Sequence, residues 1–144
     1  MSETKQFDLS DVLSITTERL VSSRHMEGVY DILNWMTDDN LFTHQLPRAS
    51  RECKPWLLRW FPELLAINES IPQLQRMIDE RGGDVGCPLW VANLIAVGAA
   101  KAVYDVPRIP RDDHEQIDFY DELVQMRGTD EGILLVKADD EETT

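Results

Sequence analysis

The stretch Leu20–Phe61, LVSSRHMEGVYDILNWMTDDNLFTHQLPRASRECKPWLLRWF, decides the fold. Its apolar residues recur three and four positions apart, which places them on one face of an α-helix. This spacing predicts a helix over residues 24–37 that ends in the turn-forming residues 38–40. The apolar face continues over residues 49–60 but contains Pro55, which removes a helical amide donor. We therefore expect two short helices or one kinked helix there.

Helical signals continue on both sides of this stretch. Residues 8–13 combine an aspartate cap with a short apolar face. A capping sequence at residues 70–73 predicts a further helix that ends at the glycine pair 82–83. Residues 88–103 are apolar on nearly all sides and predict a buried helix, although residues 89–97 also fit an interior strand.

The clearest strand pattern is GILLV, at residues 132–136. A single strand needs a partner, and residues 102–106 are the best candidate. Residues 106–110 contain two prolines and predict an extended connector. Residues 118–124 predict a short helix, and residues 1–6 are expected to be a frayed terminus.

Together these patterns predict an α+β, predominantly helical fold. Five or six short helices surround one core, and the chain ends in a small C-terminal strand or two-stranded ribbon. A chain of 144 residues is long enough to bury such a core as one domain. We place that domain at residues 1–137 and expect residues 138–144 to form an acidic, disordered tail.

The net charge of −13 is distributed unevenly along the chain. Residues 1–104 carry 14 acidic and 10 basic residues, whereas residues 105–144 carry 13 acidic and 4 basic residues, a local charge of −9. This balance argues against direct nucleic-acid binding and against binding to an anionic membrane, because both need basic patches. It is compatible with simple solubility or with a basic protein partner.

Neither a transmembrane run nor a signal peptide is predicted. No apolar run approaches about 20 residues, and residues 1–11 lack a basic segment followed by an apolar one. The expected location is therefore the cytoplasm. In that compartment Cys53 and Cys87 are expected to be reduced and packed rather than bridged.

The sequence contains no recognisable catalytic motif. The spacing of His44 and Cys53 matches no zinc pattern. The glycine-rich segment Arg81–Gly86 lacks the Lys-Ser/Thr ending of a phosphate-binding loop. Cys53 would need a nearby base to act as a nucleophile, and a buried thiol is the simpler interpretation. We predict no catalytic residue, no metal and no cofactor.

A cluster of acidic side chains precedes the last strand pattern. Such acids commonly cap a helix N-terminus or solvate a surface. Their functional interpretation is mimicry of a nucleic-acid backbone, presented to a basic groove of a partner. The residues predicted to bind that partner are Asp112, Asp113, Glu115, Asp118, Asp121 and Glu122.

A second candidate site lies in the opening stretch. It consists of His44, Arg48 and Arg51, close to the turn at residues 43–45. The two arginines belong to a basic strip that Lys54 and Arg59 complete. The neighbouring tryptophans fit a core face better than a base-stacking surface. The basic strip is expected to be exposed, and it could pair with the acidic end of the same chain or of a second copy.

The segment SITTERLVSSRHMEGVYDILNWMTDDNLFTHQLPRASREC, Ser14–Cys53, together with DHEQID at Asp113–Asp118, resembles a family of small uncharacterised proteins of phages and integrated elements. The resemblance covers about half of the chain and does not extend to residues 82–105. It implies a mobile-element product in a bacterial cell, for which a counter-defence, anti-CRISPR-like role is an analogy.

Three functions are then expected in order of preference. The first is a non-catalytic inhibitor or adaptor that binds a basic surface of a host protein or ribonucleoprotein complex through the acidic cluster. The second is a small enzyme or nucleotide-binding protein that uses residues 44–51. The third is a structural component that self-associates, with the basic strip of one copy against the acidic face of another.

Overall fold

The computed structural model describes residues 3–115. This part of the chain contains six α-helices and one two-stranded antiparallel sheet, which confirms the predicted helical α+β class. The elements are β1 (Thr4–Asp8), α1 (Leu9–Thr16), α2 (Met26–Thr37), α3 (Leu46–Trp60), α4 (Glu63–Ile67), α5 (Ile71–Arg81), α6 (Gly83–Ala96) and β2 (Val103–Pro107). Short 3-10 turns occupy Thr43–Gln45, Asn68–Ser70 and Arg111–Asp113.

The core is centred on α1, whose eight residues are all buried. Helices α2, α3, α4 and α6 and the sheet pack around it, so α1 has no solvent-facing side. Leu13, Leu33, Leu57 and Trp90 are among its fully buried side chains. Each such burial contributes on the order of 2 kcal/mol, which explains why a helix of only eight residues is stable in this position.

Helix α3 is a single helix, so the alternative of two short helices around Pro55 is wrong. Pro47 occupies the first turn, where its missing amide needs no partner. Pro55 lies on the exposed side, while Ala49, Cys53 and Leu57 are buried against the core. Because buried residues flank the proline on both sides, packing keeps the two halves in one helix.

The sheet corrects two predictions. Thr4–Asp8 pairs with Val103–Pro107, so residues 4–6 of the expected frayed terminus belong to a strand. The predicted strand at 102–106 is present, and its partner within the described residues is β1. Phe7 lies opposite Tyr104, and both are almost fully buried. Residues 106 and 107 also belong to β2, which shortens the predicted connector. The predicted helix at 118–124, strand at 132–136 and tail at 138–144 lie outside the described residues.

Helix α6 was predicted to be buried, but only one of its faces is buried. It begins at Gly83 and ends at Ala96, earlier than expected at both ends, and this excludes the strand alternative. Gly86 lies against the backbone of Met77 in α5, where an added Cβ would come within 2.7 Å of the Met77 carbonyl oxygen. This close contact buries the face that includes Trp90 and Leu94, so apolar residues elsewhere on α6 remain exposed.

Candidate functional site

The loop between α1 and α2, residues 17–25, is held by a buried carboxylate. Asp11 is 1% exposed, and its two oxygens accept hydrogen bonds from Ser22 Oγ (2.5 Å) and Arg24 Nη2 (2.7 Å). Gly28 lies directly beneath this contact, because an added Cβ would come within 2.2 Å of Ser22 Oγ. The glycine that interrupts the predicted helix is therefore explained by side-chain packing against its backbone.

Serine hydroxyls of α1 fix the backbone of the same loop. Ser14 Oγ accepts hydrogen bonds from the amides of Val21 (3.0 Å) and Ser22 (2.8 Å), and Ser10 Oγ accepts one from Ser23 (3.1 Å). The serine-rich part of the opening stretch thus has a structural role. Its backbone amides are held by the serines of α1, which gives the loop a defined conformation.

Two residues of this loop adopt unusual backbone conformations. Glu18 and His25 have φ angles of 60° and 56°, a region that residues other than glycine rarely occupy. Such conformations persist only where surrounding contacts enforce them. In this loop the His25 amide donates a hydrogen bond to the carbonyl oxygen of Ser22 (2.9 Å), and Glu18 forms an ion pair with Lys54.

The fixed loop forms one wall of a cleft of about 600 Å³ between α1, α2 and α3. Its inner surface is apolar and includes the buried side chains of Ile15, Leu33 and Leu46. Leu20 and Met26 line the opening and are 48% and 41% exposed. A concave apolar surface with few polar groups is the usual form of a small-molecule site.

The opening of the cleft is positively charged. Arg19, Arg51 and Lys54 line it, together with the single acid Glu18. Lys54 forms an ion pair with Glu18, and this hydrogen bond lowers the pKa of the Glu18 carboxyl. Arg19 donates a hydrogen bond to the neutral amide of Gln75 (3.0 Å). Within residues 3–115, Arg51 forms no hydrogen bond or ion pair, so its guanidinium is available at the opening.

The three residues of the secondary candidate site do not meet in one pocket. Arg51 lines the cleft, but His44 and Arg48 are not among the lining residues. His44 is half-buried in the 3-10 turn at Thr43–Gln45. Arg48 donates hydrogen bonds to Glu52 Oε2 (2.9 Å) and to the carbonyl oxygen of Glu115 (2.5 Å). Arg48, the first residue of the basic strip, therefore binds the C-terminal segment of its own chain.

Half of the predicted acidic cluster is within the described residues. Asp112 and Asp113 lie in the exposed 3-10 turn Arg111–Asp113, and Glu115 is exposed just beyond it. Asp113 accepts a hydrogen bond from the indole nitrogen of Trp56 (3.1 Å). The remaining candidates, Asp118, Asp121 and Glu122, lie outside the described residues.

His114 holds this acidic segment to the helical body. Its side chain is 6% exposed, with Nδ1 2.5 Å from Glu52 Oε1 and Nε2 2.8 Å from Asp39 Oδ2. Carboxylates only accept hydrogen bonds, so both contacts form when each ring nitrogen carries a proton. The amide of Glu115 adds a hydrogen bond to Glu52 Oε2 (3.0 Å). We call Asp39, Glu52 and His114 the histidine clamp.

Sequence reasoning missed the histidine clamp. His114 is separated from Glu52 and Asp39 by 62 and 75 positions, so no local spacing relates them. The only available signal was the position of His114 within the acidic DHEQID segment. A histidine inside an acidic run is favourably placed for charge-assisted hydrogen bonds, but its partners depend on the tertiary fold.

The two cysteines, Cys53 and Cys87, are free and buried. Burial raises the pKa of the Cys53 thiol well above its ordinary value, and the charge of Glu52 adds to this effect. Cys53 is therefore a neutral core thiol, as predicted.

Among residues 3–115, no group of three or more His, Cys, Asp or Glu side chains is arranged to hold a metal ion. In the same part of the chain, none of the helices has the length and apolarity needed to cross a membrane.

Comparison with known proteins locates a family resemblance in the N-terminal half. Residues 7–67 match the family described as Domain of unknown function (DUF7736). No curated protein and no solved structure matches the chain. All lining residues of the cleft, from Ser14 to Pro55, fall within the matched segment. His114 and the acidic cluster lie outside it.

Proposed function

We propose that this protein is a non-catalytic inhibitor or adaptor that binds a basic surface of a partner through its acidic C-terminal segment. The observation that carries this proposal is the histidine clamp. It fixes the main chain at residues 111–115 while leaving the carboxylate of Asp112 exposed. The acidic run therefore begins from a defined position on the helical body.

A fixed starting point matters because binding is weakened by the entropy lost when a mobile segment is ordered. The amide of Glu115 and its carbonyl oxygen are both already bonded, to Glu52 and Arg48. The first acidic side chains of the cluster then meet a partner at a smaller entropic cost. Complementary charge raises the association rate and selects among partners more than it adds affinity.

The class of partner follows from charge and from the resemblance to mobile-element proteins. Duplex nucleic acid carries one charge per roughly 1.7 Å of axis, and a closely spaced acidic segment offers a similar field to a basic groove. We infer that the partner is a host protein or ribonucleoprotein complex in the bacterial cytoplasm. An anti-CRISPR-like counter-defence role is the form of this proposal that the resemblance favours.

The other two expected functions are less favoured by the geometry. A nucleotide pocket built from His44, Arg48 and Arg51 needs the three side chains together, and only Arg51 lines the cleft. Self-association through the basic strip needs that strip to be available. Arg48 and Lys54, two of its four residues, instead bind Glu115 and Glu18 of the same chain.

The test is capture of host proteins by the full chain, with identification by mass spectrometry and affinity measured at several salt concentrations. The triple variant Asp118→Lys, Asp121→Lys, Glu122→Lys should weaken binding of the captured partner by more than about tenfold and reduce its salt dependence.

The matched control reverses three exposed acids elsewhere, Glu69→Lys, Asp79→Lys and Glu80→Lys. It changes the net charge by the same amount and should retain the affinity of the unmodified chain. Equal affinities for the two triple variants would contradict the proposal, since the acidic segment would then have no special part in binding.

A further inference from the structure

We propose that the cleft between α1, α2 and α3 binds a small amphipathic carboxylic acid, with Arg51 holding the carboxylate and the apolar walls holding the rest of the molecule. Nothing in the acidic-segment proposal requires this site. Its lining residues all lie between Ser14 and Pro55, whereas the acidic cluster begins at Asp112.

The size and lining of the cleft select a small, mainly apolar ligand. Its volume of about 600 Å³ lies within the range of roughly 300–1,000 Å³ that is usual for such sites. Ile15, Leu33 and Leu46 provide a buried apolar surface at its base. Leu20 and Met26 extend this surface to the opening, where they are exposed. A purely polar ligand would leave these walls without apolar contacts.

The charges at the opening select a negatively charged group. Glu18 forms an ion pair with Lys54 and also interacts electrostatically with Arg51, and Arg19 donates its hydrogen bond to the neutral amide of Gln75, so the three cations that line the cleft outnumber its one acid. Arg51 lines the cleft and forms no hydrogen bond or ion pair with any residue from 3 to 115. A guanidinium presents parallel donors that match the two oxygens of a carboxylate. A guanidinium that has no hydrogen-bond partner among residues 3–115 and lies beside an apolar surface fits one carboxylate on an apolar chain or ring.

The cleft is formed before any ligand binds. Its loop wall is fixed by the hydrogen bonds of Ser14 to Val21 and Ser22, and by the contacts of Asp11 with Ser22 and Arg24. A preformed wall avoids the entropy that would be lost in ordering it upon binding. The constrained backbone at Glu18 belongs to the same wall and places its carboxylate beside Lys54.

The test is titration calorimetry of the full chain with decanoate, kept below its micellar concentration, and with decan-1-ol as the neutral analogue. Decanoate should bind saturably at one site per chain, and decan-1-ol about tenfold more weakly, because it lacks the charge that Arg51 recognises. Arg51→Gln should weaken decanoate binding by about tenfold and leave decan-1-ol binding unchanged.

Two further variants separate this site from general effects. Arg59→Gln is the matched control, since Arg59 is on the same helix but stacks over the Trp56 ring outside the cleft. It should bind decanoate normally. Ser50→Trp places a large ring in the cleft and should abolish binding of both probes, and an unchanged circular dichroism spectrum would show that this variant is folded.

Several results would overturn the proposal. These are the absence of saturable decanoate binding, equal decanoate affinity in the unmodified chain and Arg51→Gln, or tighter binding of adenosine monophosphate than of decanoate. A dimer in light scattering that dissociates as decanoate binds would also overturn it, because the cleft would then be the contact between two copies. None of these results depends on whether the acidic segment captures a partner.

Discussion

Two polar clusters hold this fold together, and they differ in how far apart their residues lie in the sequence. Asp11, Ser22 and Arg24 form the first, within the α1–α2 region. The histidine clamp forms the second and joins residues from the turn after α2, the middle of α3 and the segment after β2. The first cluster fixes a loop locally, whereas the second attaches a distant segment to a completed core.

This difference predicts different consequences when each cluster is broken. Loss of the first cluster removes the partner of buried polar groups inside the core and releases one wall of the cleft. Loss of the second releases residues 111–115 but leaves the core packed. The two effects are separable because the clusters share no residue.

The largest effect is expected for Asp11→Ala. It removes the acceptor of Ser22 and Arg24 and should lower the free energy of unfolding by about 3 kcal/mol. Urea denaturation measures this change. Asp79→Ala is the control, because Asp79 is exposed and, among residues 3–115, its side chain bonds only to Gln75 on its own helix. If both variants cost the same, the buried cluster has no special role in stability.

A smaller effect is expected for His114→Ala. It leaves the carboxylates of Asp39 and Glu52 without their shared donor and should cost about 1–2 kcal/mol. Hydrogen exchange gives the sharper measurement, since the amide of Glu115 should exchange faster while amides of α1 remain protected. Asp112→Ala, at an exposed neighbouring position, should change neither. Loss of protection throughout the core would show that the clamp is part of the core itself.

The smallest effect on stability is expected for Asp31, a partly exposed residue that accepts a hydrogen bond from Arg24 of the first cluster. Burial raises the pKa of Asp31, but hydrogen bonds from Lys5 and Arg24 outweigh it and leave the pKa below its ordinary value. A lowered pKa in the folded state stabilises the protein fully above the unfolded-state value of about 3.9. That contribution is lost as the pH falls through the folded-state value.

Asp31→Asn should therefore flatten the acid side of the stability curve by less than about 1 kcal/mol, because the ion pairs are partly exposed. Urea midpoints between roughly pH 5 and pH 2 measure this change. Parallel curves for the variant and the unmodified chain would assign the acid sensitivity of the protein to other carboxylates.

Much of the helical framework was predictable because its signals are local. The spacing of Leu33 and Met36 predicts a helix, and both residues lie on the buried face of α2 together with Ile32. The start of α5 near Ser70 and its end near Gly82 were also predicted from residue type. Helix α6 shows where this reasoning fails. Its composition is apolar all round, so only its packing against α5 determines which face is buried.

The sites were less predictable than the helices. Arg51 was selected because it lies among aromatic and basic residues, but its availability depends on Lys54 pairing with Glu18 from another element. The polar residues around Asp11 looked like ordinary helix caps. Their actual role depends on a loop that returns to pack against α1, which no spacing rule describes.

During synthesis, β1 leaves the ribosome long before β2 exists to pair with it. At usual elongation rates, Tyr104 is synthesised on the order of ten seconds after Phe7, its partner in the sheet. An unpaired strand edge is a template for pairing with other chains. The segment TKQFD carries a lysine and only one large apolar side chain, and charged residues on a strand edge discourage such pairing. The low apolar content that made β1 hard to predict therefore also lowers the tendency of this strand to pair with other chains before β2 is synthesised.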